Sequence, residues 1–238
     1  MNPTVARLTL RGLLGRRRGL LLLVVPTLLL AVAAVARLSG ADAHETAGNI
    51  LGALGLGTLV PILGLVVGTG VIANEIDDGS IVYLLAKPLP RWRIVTTKLV
   101  VAIGVTWLFS VVPTLLAGLL LVGTQDGMAL GYTVAVLVAG AAYSALFLLL
   151  GVVTRHAVVA GLAYALIWES TVGNFVEGAR TLSIQQWGRS VAEAVAGQNA
   201  ITSDVSLGAA VPLLLVVTVA ATVLASVKLA GLTLAGEE

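Results

Sequence analysis

The chain has 238 residues, of which 58% are hydrophobic and 11% are charged, and its formal net charge is +2. Soluble globular domains carry about 25% charged residues, so this composition argues against a soluble domain and indicates an integral membrane protein. The absence of cysteine excludes disulfides, thiolate metal sites and thiol catalysis, and the two isolated histidines do not form a zinc site. Because the basic residues lie beside apolar runs, we expect no nucleic-acid partner.

The N-terminal segment is basic and precedes the first apolar run. Residues 4–18 predict either an interfacial helix with Arg7, Arg11 and Arg18 on one face or a plain basic topology signal. Three consecutive arginines, an apolar run and the small residues "AVA" at 34–36 also fit a cleavable signal peptide. The length of the run favours a first transmembrane helix, so we interpret residues 1–18 as a cytoplasmic or interfacial segment.

Six apolar runs are long enough to cross a bilayer, which requires roughly 20 apolar residues per helix. Cytoplasmic loops collect lysine and arginine, and only Arg37, Arg180 and Arg189 lie on the side opposite the other eleven basic residues. The sequence therefore predicts an all-α, polytopic membrane helical bundle, a single transmembrane domain (1–238) with cytoplasmic N- and C-termini. The predicted spans are approximately residues 19–37, 50–73, 94–122, 130–153, 157–174 and 208–230.

A long extracellular segment, residues 175–207, precedes the last predicted span. Its apolar residues Leu182, Ile184, Trp187 and Val191 would suit a short helix on the membrane surface, with Trp187 at headgroup depth. An ordinary surface loop is the alternative interpretation.

The main cytoplasmic loop concentrates charge, since "ANEIDDGSIVYLLAKPLPRWRIVTTK" holds seven of the chain's 26 charged residues. Acids precede a short apolar run and bases follow it. Asp78 or Ser80 can cap a short helix over about residues 79–87, which Pro88 ends, and Pro90 suits the start of the next helix. A helix of this length is marginal alone, so its apolar residues must be covered by the bundle or by a groove on a soluble partner.

Three bases, Arg91, Arg93 and Lys98, begin the predicted third span. At headgroup level, phosphate contacts are available to such side chains. We therefore expect all three to lie at the membrane surface.

This loop resembles the cytoplasmic loop of type-2 ABC transporter permeases, the six-helix transmembrane subunits of bacterial exporters. The predicted topology, the long extracellular segment and the run "WESTVGNFVEGARTLSIQQW" are similar to that family as well. The residues that match the family's loop pattern are Glu75, Gly79, Ser80, Leu84, Leu85, Pro88, Arg91 and Lys98.

The resemblance implies that the loop, residues 74–93, carries a coupling helix that seats in a cleft of a separate ATP-binding-cassette ATPase subunit. It implies a permease that moves a small or amphiphilic substrate across the bacterial plasma (inner) membrane, with a second permease copy and lipids as further partners. The implied coupling residues are Glu75, Asp78, Gly79, Ser80, Leu84, Leu85 and Arg91, and Glu75 would lie at the hinge between the second span and the helix.

The chain lacks a phosphate-binding loop, because none of its lysines, Lys87, Lys98 and Lys228, follows a glycine. The glycine-rich run "GALGLGTL" at 52–59 lies in an apolar span and predicts close helix packing. We therefore expect no catalytic, cofactor or metal site in this chain, and we expect ATP and magnesium to bind the partner ATPase.

Two other function classes are weaker alternatives. An ion- or proton-coupled carrier acting alone would be supported by Glu169, since ionisable groups within spans usually face a cavity or a partner. Glu169 can also be a snorkelling carboxylate, a polar residue of the outward pathway, or a partner in a helix–helix hydrogen bond. A lipid-modifying enzyme is suggested by "DDG", but the sequence has no acid between Asp78 and Asp126 to complete a metal site.

Overall fold

A computed structural model describes residues 3–13, 15–40, 42–72, 90–124, 127–172, 181–197 and 200–231, and all regular elements within these ranges are helical. The α-helices are α1 (Pro3–Leu13), α2 (Arg16–Leu38), α3 (Ala43–Asn49), α4 (Val60–Gly70), α5 (Arg91–Val122), α6 (Met128–Val153), α7 (Ala157–Ala163), α8 (Ile184–Ala196) and α9 (Leu207–Ala230). Two π-helical segments, Ile50–Leu59 and Tyr164–Val172, connect α3 to α4 and extend α7.

The helices are of the membrane type that the composition predicts. Four are long and apolar enough to cross a bilayer: Ala43–Gly70, Arg91–Val122, Met128–Val153 and Leu207–Ala230. Two shorter apolar helices, Leu22–Leu38 and Ala157–Glu169, lie where the first and fifth spans are predicted. The helical membrane architecture is therefore confirmed for the described ranges, whereas six crossings and cytoplasmic termini stay predictions.

The N-terminal segment forms a helix, α1, that ends at Leu13, and α2 begins three residues later. The inner face of α1 is formed by Val5, Thr9 and Leu13, which recur every four residues and are buried. Arg7 is exposed on the other side. This helix packs against α5, so its apolar face is covered by protein.

Helix α6 occupies the centre of the bundle and contacts α4, α5, α8 and α9. Its approach to α4 depends on two glycines four residues apart. A Cβ atom at Gly64 would lie 2.9 Å from the Tyr143 Cβ, and one at Gly68 would lie 2.9 Å from the Phe147 Cβ and 3.0 Å from the Ser144 carbonyl oxygen. Since lipid provides no hydrophobic drive between helices, such close backbone approach provides the packing that holds them together.

The glycine-rich run at 52–59 forms most of the first π-helical segment and packs closely, as the sequence predicts. A Cβ atom at Gly52 would lie 3.1 Å from the Tyr132 hydroxyl, and one at Gly57 would lie 2.6 Å from the Gln185 amide nitrogen. These glycines therefore bring the segment into contact with α6 and α8.

Helix α8 confirms the predicted short helix but not its place on the membrane surface. Ile184, Trp187 and Val191 are buried, and only Leu182 of the four apolar residues is exposed. The helix lies beside the first turns of α6, where a Cβ atom at Gly131 would be 2.7 Å from the Ala192 carbonyl oxygen. Neighbouring helices cover Trp187, so this face of α8 does not lie against lipid, whereas headgroup depth for Trp187 stays a prediction.

The outer faces of the bundle are apolar. Exposed leucines and valines lie along α2, α5 and α9, and few residues of α9 are buried. Large contiguous apolar surfaces are rare on soluble monomers, whereas hydrocarbon suits them.

Candidate coupling site and buried charges

Helix α5 begins where the sequence predicts, directly after Pro90. This proline has φ −62° and ψ 132°, an extended conformation, and its carbonyl oxygen accepts the first hydrogen bond of the helix, from the Arg93 N–H, at 2.9 Å. A proline at a helix start loses no hydrogen bond, because the first N–H groups of a helix have no partner within it. Helix α5 therefore begins at a defined position.

Two arginines and no acid occupy the first turn of α5, at the positive end of its dipole. Arg93 is exposed and lies over the Trp92 ring, with 5.3 Å between the guanidinium carbon and the ring centroid. Arg91 is half-buried, and its Nη1 atom is buried without a hydrogen-bond partner among the residues that the structure describes. A buried guanidinium N–H is costly to leave unsatisfied, so Arg91 is suited to an anionic group from outside the described residues.

Lys98 lies two turns further along α5 and is completely buried. Its Nζ donates a hydrogen bond of 2.6 Å to the carbonyl oxygen of Val71, the C-cap residue that follows α4. Lys98 is therefore covered by protein and does not face lipid phosphates, whereas its depth at the headgroup level stays a prediction. The last carbonyls of a helix lack partners within it and carry partial negative charge. The Lys98 ammonium of α5 is therefore stabilised by its position at the C-terminal end of α4.

The end of α4 is fixed from a second side by α6. Val71 and Ile72 are both buried, and a Cβ atom at Gly151 of α6 would lie 3.1 Å from the Ile72 side chain. The last described residues before position 73 are thus packed tightly against α6.

The second buried charge, Glu169, is 1% exposed and lies in the π-helical segment after α7. Its carboxylate accepts from the Ser183 hydroxyl at 2.5 Å and from the Tyr164 hydroxyl at 2.8 Å. It also accepts from the backbone N–H groups of Ile184 at 3.1 Å and Gln185 at 3.4 Å. Four donors surround two oxygens, an arrangement that suits a carboxylate, which can only accept.

The N–H donors of this cluster are the first two of α8. Ser183 is the N-cap of this helix, and its hydroxyl oxygen accepts from the Gln186 N–H at 3.3 Å. A helix N-terminus has unpaired N–H groups and partial positive charge, so it stabilises a nearby carboxylate. Glu169 therefore connects the fifth predicted span to the buried start of α8. This agrees with one interpretation of Glu169 from the sequence, a partner in a helix–helix hydrogen bond.

Two indoles hold the turn that leads into α8. The Trp168 Nε1 donates to the Leu182 carbonyl oxygen at 3.3 Å, and the Trp187 Nε1 donates to that of Thr181 at 2.8 Å. These bonds satisfy two backbone carbonyl oxygens of the turn that leads into α8. The turn that positions Ser183 beside Glu169 is thus held by one indole from the π-helical segment and one from α8.

Most of the predicted coupling residues lie outside the described ranges. These are Glu75, Asp78, Gly79, Ser80, Leu84 and Leu85, and the helix predicted at 79–87 lies outside them too. The structure describes Arg91 and the two flanks of the loop. The roles of the coupling residues, and a transport role for Glu169, stay predictions.

Two features of these clusters were not inferred from the sequence. The burial of Lys98 depends on the position of Val71, which is 27 residues earlier, and no local pattern indicates it. The start of α8 has a signal, because Ser183 followed by Gln186 fits the serine and glutamine spacing of a capping box. That pattern predicts a helix N-terminus at Ser183, although it does not identify Glu169 as a partner.

Comparison with known families agrees with this architecture. The sequence model of the family described as "ABC-2 family transporter protein" matches residues 5–179, which is more than half of the chain. The matched region includes most of α1, α2 to α7, the predicted cytoplasmic loop and the π-helical segment that carries Glu169. No curated protein sequence matches the chain significantly.

Proposed function

Since the chain belongs to the ABC-2 family of transporter proteins, we propose that it is the permease subunit of an ATP-driven exporter. It would move a small or amphiphilic substrate across the bacterial plasma membrane, together with a separate ATP-binding-cassette ATPase. Two permease copies, or this chain and a homologous permease, would enclose the pathway. ATP and magnesium would bind the ATPase.

The family match is the observation that carries this proposal, because it extends across the cytoplasmic loop and the helices on both sides of it. The geometry of the loop's flanks supports it. Arg91 is half-buried at the start of α5, so the exposed part of its side chain can meet an acidic group of a partner. Val71 and Ile72 are held firmly, so a force applied to the loop would reach the bundle rather than be lost in a loose connection.

In the proposed mechanism, ATP-driven closure of two ATPase subunits displaces the coupling loops. The displacement passes through the end of α4 and the start of α5 to α6, which contacts most of the other helices. Closely packed helices move as units, so the bundle would change between inward- and outward-facing states by hinge or shear motion.

A co-purification experiment tests the coupling loop. The permease is co-expressed with an ABC ATPase encoded beside its gene, and Glu75→Gln combined with Leu84→Ala and Leu85→Ala is compared with the unchanged chain. We expect the triple variant to lose at least about tenfold of the bound ATPase, since buried anchor residues dominate such interfaces. A matched control, Leu215→Ala, removes an exposed leucine from α9 and leaves association unchanged. Normal ATPase binding by the triple variant would show that the coupling assignment is wrong.

We also propose that Glu169 acts at the outer side of the pathway by setting the position of α8. The contacts of its carboxylate support this role over that of a proton carrier, because both oxygens are already engaged. A carrier acting alone would transport substrate in proteoliposomes under a proton gradient without ATPase, and Glu169→Gln would abolish that activity. We expect no transport under these conditions from the unchanged chain.

A further inference from the structure

Lys98 is one of only two charged residues that are fully buried among the described residues. Its Nζ reaches the carbonyl oxygen of Val71 at 2.6 Å, across a sequence separation of 27 residues. The bond connects the C-cap residue of α4 to the third turn of α5. These are the two helices that residues 73–89 connect.

A buried ammonium requires compensating contacts, because removing a charge from water without a partner is very costly. The Val71 carbonyl lies beyond the last turn of α4, where helical carbonyls lack partners and the dipole is negative. The bond thus satisfies the Val71 carbonyl oxygen and provides the ammonium with one partner. With Lys98, Val71 and Ile72 all buried, bulk water does not compete for the bond.

We propose that Lys98 is a positioning residue that makes the two flanks of the cytoplasmic loop move as one unit. This inference rests on the proposed function, in which the loop receives a displacement from the ATPase. With the bond in place, a push on the loop shifts α4 and α5 together and reaches α6 through the close contacts of Gly68 and Gly151. Without it, the end of α4 can move relative to α5, and the displacement is absorbed at the loop.

The test uses the complete permease–ATPase complex and the absence of native cysteine. Leu120→Cys at the outer end of α5 and Leu207→Cys at the start of α9 are both exposed sites for spin labels. The distance between the labels is measured by pulsed electron paramagnetic resonance, without nucleotide and after trapping with ATP and vanadate. Lys98→Met, Lys98→Arg and Lys228→Met are then introduced, and Lys228→Met serves as a matched control at an exposed lysine.

We expect ATP and vanadate to shift the distance in the unchanged complex, in Lys98→Arg and in Lys228→Met. In Lys98→Met the shifted population should fall by about tenfold, the factor that loss of one charge-assisted hydrogen bond produces, while ATPase binding stays normal. A purely structural role would lower the thermal unfolding temperature without changing the shifted population in the folded complex. If Lys98→Met does not fold, Lys98→Gln, which keeps an amide donor without the charge, takes its place in the same comparison.

The outcomes separate the two proposals. An unchanged chain that binds no ABC ATPase would overturn the proposed function. A complex in which Lys98→Met shifts as fully as Lys98→Arg would overturn the role of Lys98 and leave the proposed function intact.

Discussion

Replacing Glu169 by alanine removes the acceptor of four hydrogen bonds at once and leaves buried donors without partners. Hydrogen bonds to a charged group contribute about 1.5–3 kcal/mol each, but four donors that share one carboxylate do not add independently. The four donors are neutral, so alanine leaves them unsatisfied rather than leaving a charge unpaired, and we expect Glu169→Ala to lower the free energy of unfolding by about 3–5 kcal/mol, roughly the value of two such bonds.

Glutamine at position 169 should cost less. It keeps one carbonyl oxygen as an acceptor, but its NH₂ group faces donors and the favourable charge at the α8 N-terminus is lost. We expect Glu169→Gln to lower the free energy of unfolding by about 2 kcal/mol, between alanine and the unchanged chain. Glu193→Ala removes an acid from the same helix that has no part in the cluster, and we expect a change within about 0.5 kcal/mol.

Unfolding in mixed micelles of increasing SDS content, followed by tryptophan fluorescence, measures these differences. Trp168 and Trp187 donate to the turn before α8, so they report on loosening at this site. Ordinary hydrogen bonds between membrane helices average about 0.6 kcal/mol. A loss below about 1 kcal/mol for Glu169→Ala would therefore refute the argument, because Glu169 would then contribute no more than a neutral contact. A larger loss for glutamine than for alanine would refute it as well.

Two further predictions concern the packing and the cytoplasmic side. A Cβ atom added at Gly68 would already lie 2.9 Å from the Phe147 Cβ, so the larger side chain of Gly68→Leu cannot fit without a shift of α4 or α6. We expect this variant to lower the free energy of unfolding by about 1–3 kcal/mol in the same SDS titration. Gly104→Leu, in open space on α5, should be nearly neutral, and equal losses for the two would contradict the proposed packing. Arg91→Gln should weaken co-purification of the ABC ATPase about tenfold, because the acidic group of the ATPase that we propose to pair with Arg91 would lose its cationic partner. Arg93→Gln, which changes an exposed arginine two residues away, should have little effect, and equal weakening by both would indicate general charge attraction instead.

The sequence predicts the helices well because a membrane imposes their length and apolar character directly. The start of α5 after Pro90 is predicted correctly for a similar local reason, since a proline there suits a helix start and disfavours helix in the residue before it. The place of α8 is not predictable in this way. Its apolar residues suit lipid and protein equally. Whether α8 packs inside the bundle depends on the close approach that Gly131 and Gly188 allow between neighbouring helices.

The two buried charges are harder still to predict, because each is paired with a backbone end that is distant in sequence. Lys98 satisfies a carbonyl at the end of α4, and Glu169 satisfies N–H groups at the start of α8. A side-chain pattern cannot indicate such partners, since every residue carries the same backbone groups. The sequence does show that burying each charge in an apolar span is costly. That cost predicts that each charge has a partner, without identifying it.

In both cases the sign of the charge matches the helix end that it contacts, a cation at a C-terminus and an anion at an N-terminus. In a membrane interior, a helix that ends inside the protein exposes unpaired backbone groups, and a buried charge of the right sign is one way to satisfy them. Buried charges therefore mark the places where helices end within the bundle. Backbone direction changes at those places, so they are also where one helix can turn relative to another. Lys98 bonds Val71, which lies just before the predicted loop in sequence, and Glu169 bonds the first N–H groups of α8. In the proposed mechanism a displacement of the loop passes the Lys98 bond on its way to α6, whereas Glu169 holds α8 in position, so substitutions at Lys98 test coupling and substitutions at Glu169 test stability.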